Sequence, residues 1–407
     1  MGGSTLNRMR LVCGLVAALM VAACGSGGGG GGGNASNAYA GKTIKLGAVL
    51  SITGAGGVYG PQSRDGAMLA VTEINAAGGI NGAKINLTVQ DDASDKAQAS
   101  QKAQTLIQGD QVLALLGPTL SNSAVGVHPL AENLKTPILA VSTTGIHIVP
   151  DCNYPTTTPC QYVFRDSLGE ETAIPDNIKS YVNDAHPKTG VLLVANDDKF
   201  SSDGGTIVQS TVGRYNITLL KTIPFSKGAA DLSPFVTEAV KAKPDVIFIT
   251  SLGGIPAKIM KAARNQGFQG QFLGGNGFNT ATVSADAAAA GKGARSASAW
   301  YIGNNFPSNA GFVSAYKKAY SKDPDQFAAQ GYTGVKILAD AAKRANLTFT
   351  DIAGDRTKLR STMETVNIQS PLGPFQFNSS HDVKQTVWII EMDGAGGFKL
   401  DHQVQPS

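Results

Sequence analysis

The sequence has no marked excess of charge of either sign. Its 407 residues include 34 lysines and arginines and 30 aspartates and glutamates. Two of the basic residues, Arg8 and Arg10, lie in a segment that we expect to be removed, which leaves 32 basic residues against 30 acidic ones. Clustered positive charge is what attracts a polyanion to a protein. The balance therefore gives no reason to expect nucleic acid as a partner.

Motifs that would indicate an enzyme or a metal site are missing as well. The sequence contains no GxSxG, no HExxH and no paired CxxC. Its five histidines are scattered along the chain, at His128, His147, His186, His381 and His402. A metal site needs several ligands at characteristic spacing, and a catalytic nucleophile needs partner groups. We therefore expect neither a bound metal nor an enzymatic activity.

Three short motifs admit a second interpretation. Gly54 and Gly56 could open a dinucleotide-binding loop, but the spaced third glycine and the later acidic residue of that motif are not in place. Asp91 and Asp92 could be catalytic, although such pairs after a strand more often cap a helix or stay solvated. The segment GGNG at 274–277 could cradle a phosphate, although a tight turn is the simpler interpretation. We expect no cofactor.

Long apolar runs are absent except at the amino terminus. Arg8 and Arg10 precede an apolar stretch at 11–23 that is too short to span a membrane and that ends in small residues. Its end, VAAC, resembles the lipobox of bacterial lipoproteins, in which the cysteine becomes the lipidated first residue. We predict a lipoprotein signal peptide over residues 1–23 and lipidation of Cys24. A plain signal peptide followed by a chance cysteine is the alternative.

A run of glycine follows the predicted signal peptide. Residues 25–33 are all glycine except Ser26. Glycine loses the most conformational entropy on ordering, so residues 24–41 are predicted to form a Gly-rich flexible tether. Lipid alone would then hold the folded part on the outer face of the cell membrane.

Cysteine is scarce, with four residues in the chain. Cys13 leaves with the predicted signal peptide and Cys24 is the lipidation candidate. Cys152 and Cys160 remain, and in an exported protein we expect them to form a disulfide. By the loop-entropy estimate this bridge stabilises the fold by about 2.5 kcal/mol.

The rest of the sequence alternates short apolar strands with amphipathic helices. The first unit is a predicted strand at 44–52, a glycine-rich turn at 53–60 and a helix that ends near Gly78. The alternation is interrupted at 148–161, which is rich in proline and threonine, and it resumes beyond Phe164. Such repetition is typical of doubly wound parallel sheets.

The pattern predicts an α/β fold with two doubly wound parallel-sheet lobes. The chain is expected to leave the first lobe near Phe164, to return near Trp300 through a strand at 300–303, and to cross again near Gly373. Three crossover strands would form a hinge, and the ligand cleft would lie at the carboxyl ends of the strands. The predicted N-terminal lobe comprises residues 42–164 and 302–372, and the C-terminal lobe comprises residues 165–301 and 373–404.

Three segments carry a family likeness. GAVLSITGAGGVYG at 47–60, RDGAMLAVTEINAAGGINGAKINLTVQDDASD at 64–95 and LLGPTLSNSA at 115–124 resemble the type I periplasmic binding proteins of the branched-chain amino acid (leucine/isoleucine/valine-binding) group. These are the substrate-binding components of ABC importers. The resemblance covers residues 42–277 in order and the tail more loosely. It implies two lobes that close on a small-molecule solute and present it to an ABC permease, and we expect a monomer.

The resemblance also implies a set of ligand-binding residues. Tyr59 matches the aromatic residue of the first loop, which lies against the ligand in the family. Ser121 matches a serine at the start of a helix, where hydroxyl and N–H groups can hold a carboxylate. Ser142 and Thr144 match the loop that completes this carboxylate site, and Thr143 takes part if the register is shifted by one. The predicted ligand-binding residues are Tyr59, Ser121, Asn122, Ser142, Thr143, Thr144, Phe200, Leu252 and Asn276.

The second lobe departs from the family pattern. Amino-acid binders of the family carry a glutamate that pairs with the ligand's ammonium, whereas this chain has Asn276 at that position. The neutral amide of Asn276 offsets about 1 to 3 kcal/mol less of the cost of desolvating the ammonium. Unless Asp197 or Asp198 takes over, an α-amino acid should bind poorly. The hypothesis is therefore a ligand without an obligatory ammonium, such as an amide, a urea-like compound or an aromatic or other carboxylic acid. Preferential binding of leucine in a calorimetric screen would contradict it.

Three classes of function remain after these observations. An extracytoplasmic substrate-binding lipoprotein of an ABC importer accounts for the signal, the tether and the two predicted lobes together. A ligand-sensing ectodomain that partners a membrane receptor would share the fold. An exported enzyme would need a nucleophile constellation, which the sequence does not show.

Overall fold

The computed structural model describes residues 1, 37–149, 151–152 and 159–405. The predicted signal peptide beyond Met1, Cys24 and the tether as far as residue 36 lie outside the described residues. The tether prediction is wrong for residues 37–41, because Tyr39 is buried in the first lobe. Its hydroxyl accepts a hydrogen bond from the N–H of Leu347 at 3.0 Å, so the folded part begins at Asn37.

The described chain contains fourteen strands and eleven α-helices. The strands are β1 Thr43–Leu50, β2 Lys84–Asp91, β3 Ala114–Leu116, β4 Ile138–Ala140, β5 Val163–Arg165, β6 Thr189–Ala195, β7 Thr218–Phe225, β8 Val246–Thr250, β9 Gln271–Gly274, β10 Arg295–Ser298, β11 Ile368–Ser370, β12 Gly373–Phe375, β13 Val387–Met392 and β14 Phe398–Val404. The helices are α1 Gly60–Ala76, α2 Lys96–Gln104, α3 Ser121–Asn133, α4 Glu170–Ala185, α5 Lys199–Val212, α6 Ser233–Lys241, α7 Ile255–Asn265, α8 Ala281–Ala287, α9 Asn309–Tyr320, α10 Gln326–Arg344 and α11 Ile352–Met363.

The first lobe is built on a parallel sheet of five strands in the order β2-β1-β3-β4-β5. Side chains alternate between its two faces along β1, as the pleat requires. Leu46, Ala48 and Leu50 pack in the cluster that includes residues of α1 and α10, whereas Val49 packs with residues of α2 and α3. Helices thus cover both faces, which confirms the predicted doubly wound arrangement.

Helices α1 and α10 cross closely because each carries a glycine that lies against the backbone of the other helix. A Cβ atom at Gly66 would lie 1.9 Å from the carbonyl oxygen of Ala328, and one at Gly331 would lie 2.1 Å from that of Ser63. Real side chains do not fit at such distances, so glycine is required at both positions. The crossing fixes the amino-terminal end of α10 beside the loop that precedes α1.

The second lobe is built on a seven-stranded sheet in the order β14-β13-β10-β9-β8-β6-β7. The five strands from β10 to β7 are parallel, and β13 and β14 are antiparallel additions at one edge. The core on one face includes residues of α6, α7 and α8, and the core on the other face includes residues of α4 and α5.

Three segments connect the lobes. The chain passes from β5 to α4 through residues 166–169, from β10 to α9 through 299–308, and from β12 to β13 through 376–386. The prediction of a strand at 300–303 is wrong, because the chain forms a bend and turns there. Among the described helices, none combines the length and the apolar content that crossing a bilayer demands.

The two cysteines that were predicted to pair, Cys152 and Cys160, form a disulfide. Cys152 and Cys160 are joined in the structure, with their Cα atoms 6.0 Å apart. Both are buried against the core between the first sheet and helices α2 and α3. The bridge therefore closes a short loop within the segment before β5, and both of its cysteines pack on the core of the first lobe.

Candidate functional site

The carboxyl ends of the parallel strands in the two lobes face a shared cleft. Loops that follow β1, β3 and β4 contribute from the first lobe, and loops that follow β6, β8 and β9 contribute from the second. A narrow cavity of about 10 Å³ lies between them. It is lined by Tyr59, Thr119, Leu120, Ser121, Ser142, Phe200, Leu252, Asn276, Gly277 and Phe327.

Two larger cavities lie elsewhere. One of about 290 Å³ is found where β1 and β3 begin, beside Lys45 and Phe349, and one of about 420 Å³ is found beside Trp300 and the β13–β14 hairpin. Ligands of open α/β sheets bind outside the carboxyl ends of the strands. The smaller cavity between the lobes is therefore the candidate ligand site.

Tyr59 joins the two lobes at this cavity. It comes from the loop after β1, and its hydroxyl donates a hydrogen bond to the carbonyl of Gly277 at 3.1 Å and accepts one from the N–H of Gly253 at 2.9 Å. Burial raises the pKa of the Tyr59 hydroxyl, so it stays protonated at neutral pH. Gly253 has φ +64, which favours glycine, and a Cβ there would lie 3.0 Å from the carbonyl oxygen of Ala55. Closure thus depends on a glycine opposite the tyrosine.

The first lobe contributes hydroxyl groups and the start of a helix. Ser121 is the first residue of α3, and the residue before it, Leu120, makes no side-chain hydrogen bond to the first helical N–H groups. The Ser121 hydroxyl accepts a hydrogen bond from the N–H of Gly145 at 3.1 Å. Ser142 lines the cavity, and its hydroxyl donates to the carbonyl of Thr119 at 2.9 Å. An anion bound here would meet N–H and O–H donors at the positive end of the helix.

Three of the predicted residues do not line the cavity. The Thr143 hydroxyl donates to the carbonyl of Pro118 at 2.6 Å, so it holds two loops of the first lobe together. Asn122 faces outward and is half-buried. Thr144 is buried behind the wall, where its hydroxyl donates to Oε1 of Glu170 at 3.4 Å.

The apolar wall of the cavity comes from both lobes. Phe200 and Leu252 from the second lobe pack with Tyr59 and Leu120 from the first. Phe327, at the start of α10, completes the wall, and its ring centroid lies 5.0 Å from that of Tyr59. Phe327 was not predicted, because it lies almost 270 residues after Tyr59 in sequence and a helix start with one aromatic gives no signal by itself.

Asn276 is held by hydrogen bonds on both sides. Its side-chain oxygen accepts a hydrogen bond from the amide nitrogen of Gln326, and its backbone N–H donates to Oε1 of Glu170 at 2.7 Å. Gln326 in turn accepts from the hydroxyl of Ser298 at 2.7 Å. The Asn276 side chain is therefore fixed in one orientation at the cavity wall. Neither Gln326 nor Glu170 was predicted, since both lie next to crossing segments whose course the sequence pattern does not reveal.

The two aspartates considered as replacements for the family glutamate lie in different surroundings. Asp197 is exposed and accepts hydrogen bonds from Ser226 and Lys227, away from the cavity. Asp198 is buried at the start of α5, where one oxygen caps the N–H of Ser201 at 3.0 Å. Its second oxygen lies 3.7 Å from the ammonium of Lys227. Asp198 is thus already engaged as a helix cap, and Asp197 does not face the cleft.

One cluster of the described residues has the geometry of a metal site, but its carboxylates are already paired. Asp184, Asp401 and His402 bring their ligand atoms within 4.8 Å of one another. Both aspartates form ion pairs with Arg295, at 2.6 and 3.0 Å. A cation would have to displace the guanidinium, so these residues fit a structural ion-pair cluster better than a metal.

The two lobes, their three connections and the cleft between them define a solute-binding protein of the periplasmic type. The chain matches the family model described as periplasmic binding protein over residues 43–397, and it belongs to that family. A curated relative is the leucine-, isoleucine-, valine-, threonine- and alanine-binding protein of Pseudomonas aeruginosa, which is 23% identical over 86% of this chain and 90% of its own length.

Solved structures show the same fold. A leucine-binding protein from Thermotoga maritima superposes with a TM-score of 0.80 at 22% identity and covers 89% of this chain and 99% of its own. A solute-binding protein of an ABC transporter from R. palustris, in complex with benzoate, superposes with a TM-score of 0.79 at 22% identity and covers 89% of this chain and 97% of its own.

These comparisons confirm the predicted family and the two-lobed α/β fold. The matched proteins are solute-binding proteins and not enzymes, in agreement with the prediction. Membership of the family implies an extracytoplasmic protein that binds a small molecule for an ABC transporter.

Proposed function

We propose that this chain is the substrate-binding lipoprotein of an ABC importer. It captures one small solute in the cavity between the lobes and delivers it to a membrane permease. The observation that carries this proposal is the contact of Tyr59 with Gly253 and Gly277, because it links a loop of the first lobe to two loops of the second. A ligand between the lobes favours the closed form by contacting both at once.

The geometry favours a ligand with a carboxylate at one end. Ser121, Ser142 and the first turn of α3 offer hydrogen-bond donors at the positive end of a helix. The opposite wall, with Phe200, Leu252 and Phe327, is apolar. A small solute with an acidic end and an apolar body fits both walls.

Binding without turnover is the decisive test. The purified chain is titrated by calorimetry with leucine, isoleucine, benzoate and a set of other small carboxylates and amides. We expect one of these classes to bind at one site per chain, to raise the unfolding temperature and to be recovered unchanged. Chemical conversion of a bound compound, or stabilisation by none of the compounds tested, would contradict the proposal.

A matched pair of variants separates the site from the rest of the fold. Ser121→Ala removes a hydroxyl at the predicted carboxylate site, whereas Ser361→Ala removes one on the outer surface of α11, where it bonds only the carbonyl of Thr357. The first change should weaken carboxylate binding several-fold and the second should not. Equal affinities in the two variants would place the carboxylate elsewhere.

The lipid anchor and the monomeric state belong to the same proposal. Cys24 would carry the lipid, and the fold would begin thirteen residues later, at Asn37. A monomer presents its cleft and both lobe surfaces to the permease. Light scattering of the purified chain should therefore give the mass of one copy.

A further inference from the structure

A second cavity, of about 420 Å³, lies beside the second connecting segment and apart from the candidate ligand site. Cavities of this size hold small organic molecules. The first lobe contributes the loop at 323–325 between α9 and α10, and the second lobe contributes the turn of the β13–β14 hairpin. Residues 300–302 of the connecting segment complete the lining. An occupant would therefore contact both lobes and the segment that joins them.

Aromatic and aliphatic side chains line one part of this cavity. They are Trp300, Tyr301, Ile302, Ile390 and Phe398. Trp300 is buried, and its indole N–H donates to the side-chain oxygen of Asn309 at 2.8 Å, so the ring is held in place. Aromatic faces attract apolar groups and cations alike.

The charged side chains that line the cavity are all acidic. They are Asp323, Asp325 and Asp393, and no lysine, arginine or histidine of the described chain joins them in the lining. Asp323 pairs with Lys317 at 2.6 Å, and Asp393 accepts backbone N–H groups within its own hairpin. The lining thus complements a cation with an apolar body and repels an anion.

Asp325 carries an oxygen that the fold does not use. Its side chain is buried, with 8% of the residue exposed, and Oδ1 caps α10 by accepting the N–H of Ala328 at 3.1 Å. Oδ2 has no hydrogen-bond partner in the part of the chain that the structure describes. The nearby Lys322 ammonium pairs with Asp65 at 3.0 Å. Burial raises the pKa of Asp325 to about 7, while the N–H groups of α10 and Lys322 lower it.

Gln326 connects this cavity to the cleft. It lines the cavity, and its side-chain oxygen accepts hydrogen bonds from the hydroxyl of Ser298 at 2.7 Å and the N–H of Ala299 at 3.0 Å. Its amide nitrogen donates to the side chain of Asn276, which lines the cleft, and the next residue, Phe327, lines the cleft as well. The two cavities therefore share one wall at the start of α10.

We propose that the cavity beside the second connecting segment binds a small organic cation, an ammonium group on an apolar body, as an effector that favours closure of the lobes. The structure has this cavity together with the Tyr59 contacts between the lobes. A cation that binds this arrangement better than an open one shifts the population toward it, and by linkage it strengthens binding in the cleft. The effector is a second ligand, distinct from the solute that the proposed function assigns to the cleft.

The test compares an ammonium with its neutral analogue. The purified chain is titrated by calorimetry with 2-phenylethylammonium and with 2-phenylethanol, which carries a hydroxyl in place of the ammonium. We expect the ammonium to bind at one site per chain and roughly 10-fold more tightly than the alcohol. Small-angle X-ray scattering should show a smaller radius of gyration when the ammonium is saturating.

Two variants locate the binding site. Asp325→Asn removes the charge but keeps the helix cap, because asparagine caps a helix as well as aspartate does. It should weaken ammonium binding several-fold and leave alcohol binding unchanged. Ala281→Trp adds an indole at an exposed lining position and should block both compounds. Asp286→Asn is the control, since it removes an exposed charge of α8 that does not line the cavity. The unfolding temperature checks the fold of each variant.

The pH dependence gives a readout that a purely structural role of Asp325 would not change. Asp325 ionises as pH rises through about 7, so ammonium binding to the wild type should tighten several-fold from pH 6 to pH 8. Asp325→Asn should lack this change. The other charged or titratable groups around Asp325 are Lys322, Tyr316, Asp323 and Asp393, and they are the same in both proteins.

The outcomes separate this proposal from the proposed function, because no cleft ligand is added. Equal binding of the ammonium and the alcohol, no binding of either, or ammonium binding that both Asp325→Asn and Ala281→Trp leave unchanged would overturn the site. An unchanged radius of gyration at saturation would overturn the effect on closure. Ammonium binding at this cavity in a chain whose cleft binds no solute would count against the proposed function alone.

Discussion

Acidic side chains are buried at several points where the lobes meet, and their cost depends on their protonation state. Glu170, Asp166 and Asp325 are buried, and burial raises the pKa of each. An unpaired carboxylate in such surroundings is expensive to ionise. The junction is thus most stable while these groups keep their protons.

The first prediction concerns stability against pH. The pKa of Glu170 is raised from its ordinary value of 4.5 to about 8 in the folded chain, so its contribution is complete below pH 4.5 and is lost as pH rises through 8. The substitution Glu170→Gln removes the ionisable group, so the variant does not lose this stability as pH rises. Without ligand, the variant should therefore gain on the order of 4 kcal/mol of unfolding free energy relative to the wild type between pH 5 and pH 9.

Urea unfolding at a series of pH values measures this difference. Asp166 and Asp325 titrate in both proteins, so the comparison isolates Glu170. A constant difference across the range would mean that the carboxyl group does not change its protonation there.

The second prediction concerns the Tyr59 hydroxyl. Tyr59→Phe keeps the ring against Phe327 but removes the hydrogen bonds to Gly253 and Gly277. Because these bonds form between the lobes, their loss should weaken ligand affinity by about 1 to 2 kcal/mol, roughly 5- to 30-fold, with little change in stability of the open form. Tyr332→Phe is the matched control, since that hydroxyl bonds to Glu73 within the first lobe at 2.5 Å. Equal losses of ligand affinity in the two variants would show that the Tyr59 hydroxyl does not contribute to closure of the lobes.

At the scale of elements, two of the three connecting segments, the first and the third, are joined by one buried guanidinium. Arg165 ends β5, and its side chain is almost fully buried. It forms ion pairs with Asp382 in the third connection and with Glu171 in α4, and it donates to the carbonyl of Gly145 at 3.4 Å. His381 stacks on Phe164 beside it, with ring centroids 4.0 Å apart. The first and third connections are therefore one packed unit and not independent strands.

Arg165→Met tests this unit. The change keeps much of the side-chain volume but leaves Asp382 and Glu171 without their partner. We expect a loss of about 2 to 4 kcal/mol in unfolding free energy, measured by urea denaturation. The control Lys317→Met breaks an exposed pair with Asp323 and should cost less than about 0.5 kcal/mol. A similar loss of unfolding free energy in both variants would show that the burial of Arg165 does not strengthen its contribution to stability.

The same elements show what the sequence pattern can reveal. Strand β1 and helix α1 were predicted because apolar periodicity and glycine-rich turns are local signals. Helix α8 was missed, since it spans only seven residues, three of them alanine. Strand β14 was missed too, because it lies at an exposed edge and its side chains are mostly solvated.

The candidate site likewise contains residues that the sequence predicts and residues that it does not. Tyr59, Ser121, Ser142, Phe200, Leu252 and Asn276 were proposed from resemblance, and all six line the cavity. Phe327 lines it too, and Gln326 and Glu170 hold Asn276 in place, because the chain crosses between the lobes three times. The return of the chain to the first lobe depends on long-range packing, such as the glycine contacts between α1 and α10. The local hydrophobic periodicity of the sequence does not encode such contacts.

At the scale of the whole molecule, the fold and its proposed anchor are separated by a short sequence. Cys24 and Asn37 are thirteen residues apart, and the intervening residues are mostly glycine. We propose, from this composition alone, that residues 24–36 link the anchor to the fold.

The last prediction tests that anchor. Cys24→Ser removes the thiol that would receive the lipid but leaves the apolar stretch at 11–23 and the whole fold unchanged. We expect the wild type to fractionate with membranes and to incorporate labelled fatty acid, and the variant to lose the label. Ligand affinity should be the same in both, because the cavity lies in the separate compact unit Asn37–Ser407. Cys13→Ser is the control, since that residue leaves with the predicted signal peptide. Retention of the fatty-acid label by Cys24→Ser would refute lipidation at this residue, whereas wild type free of membranes would refute anchoring altogether.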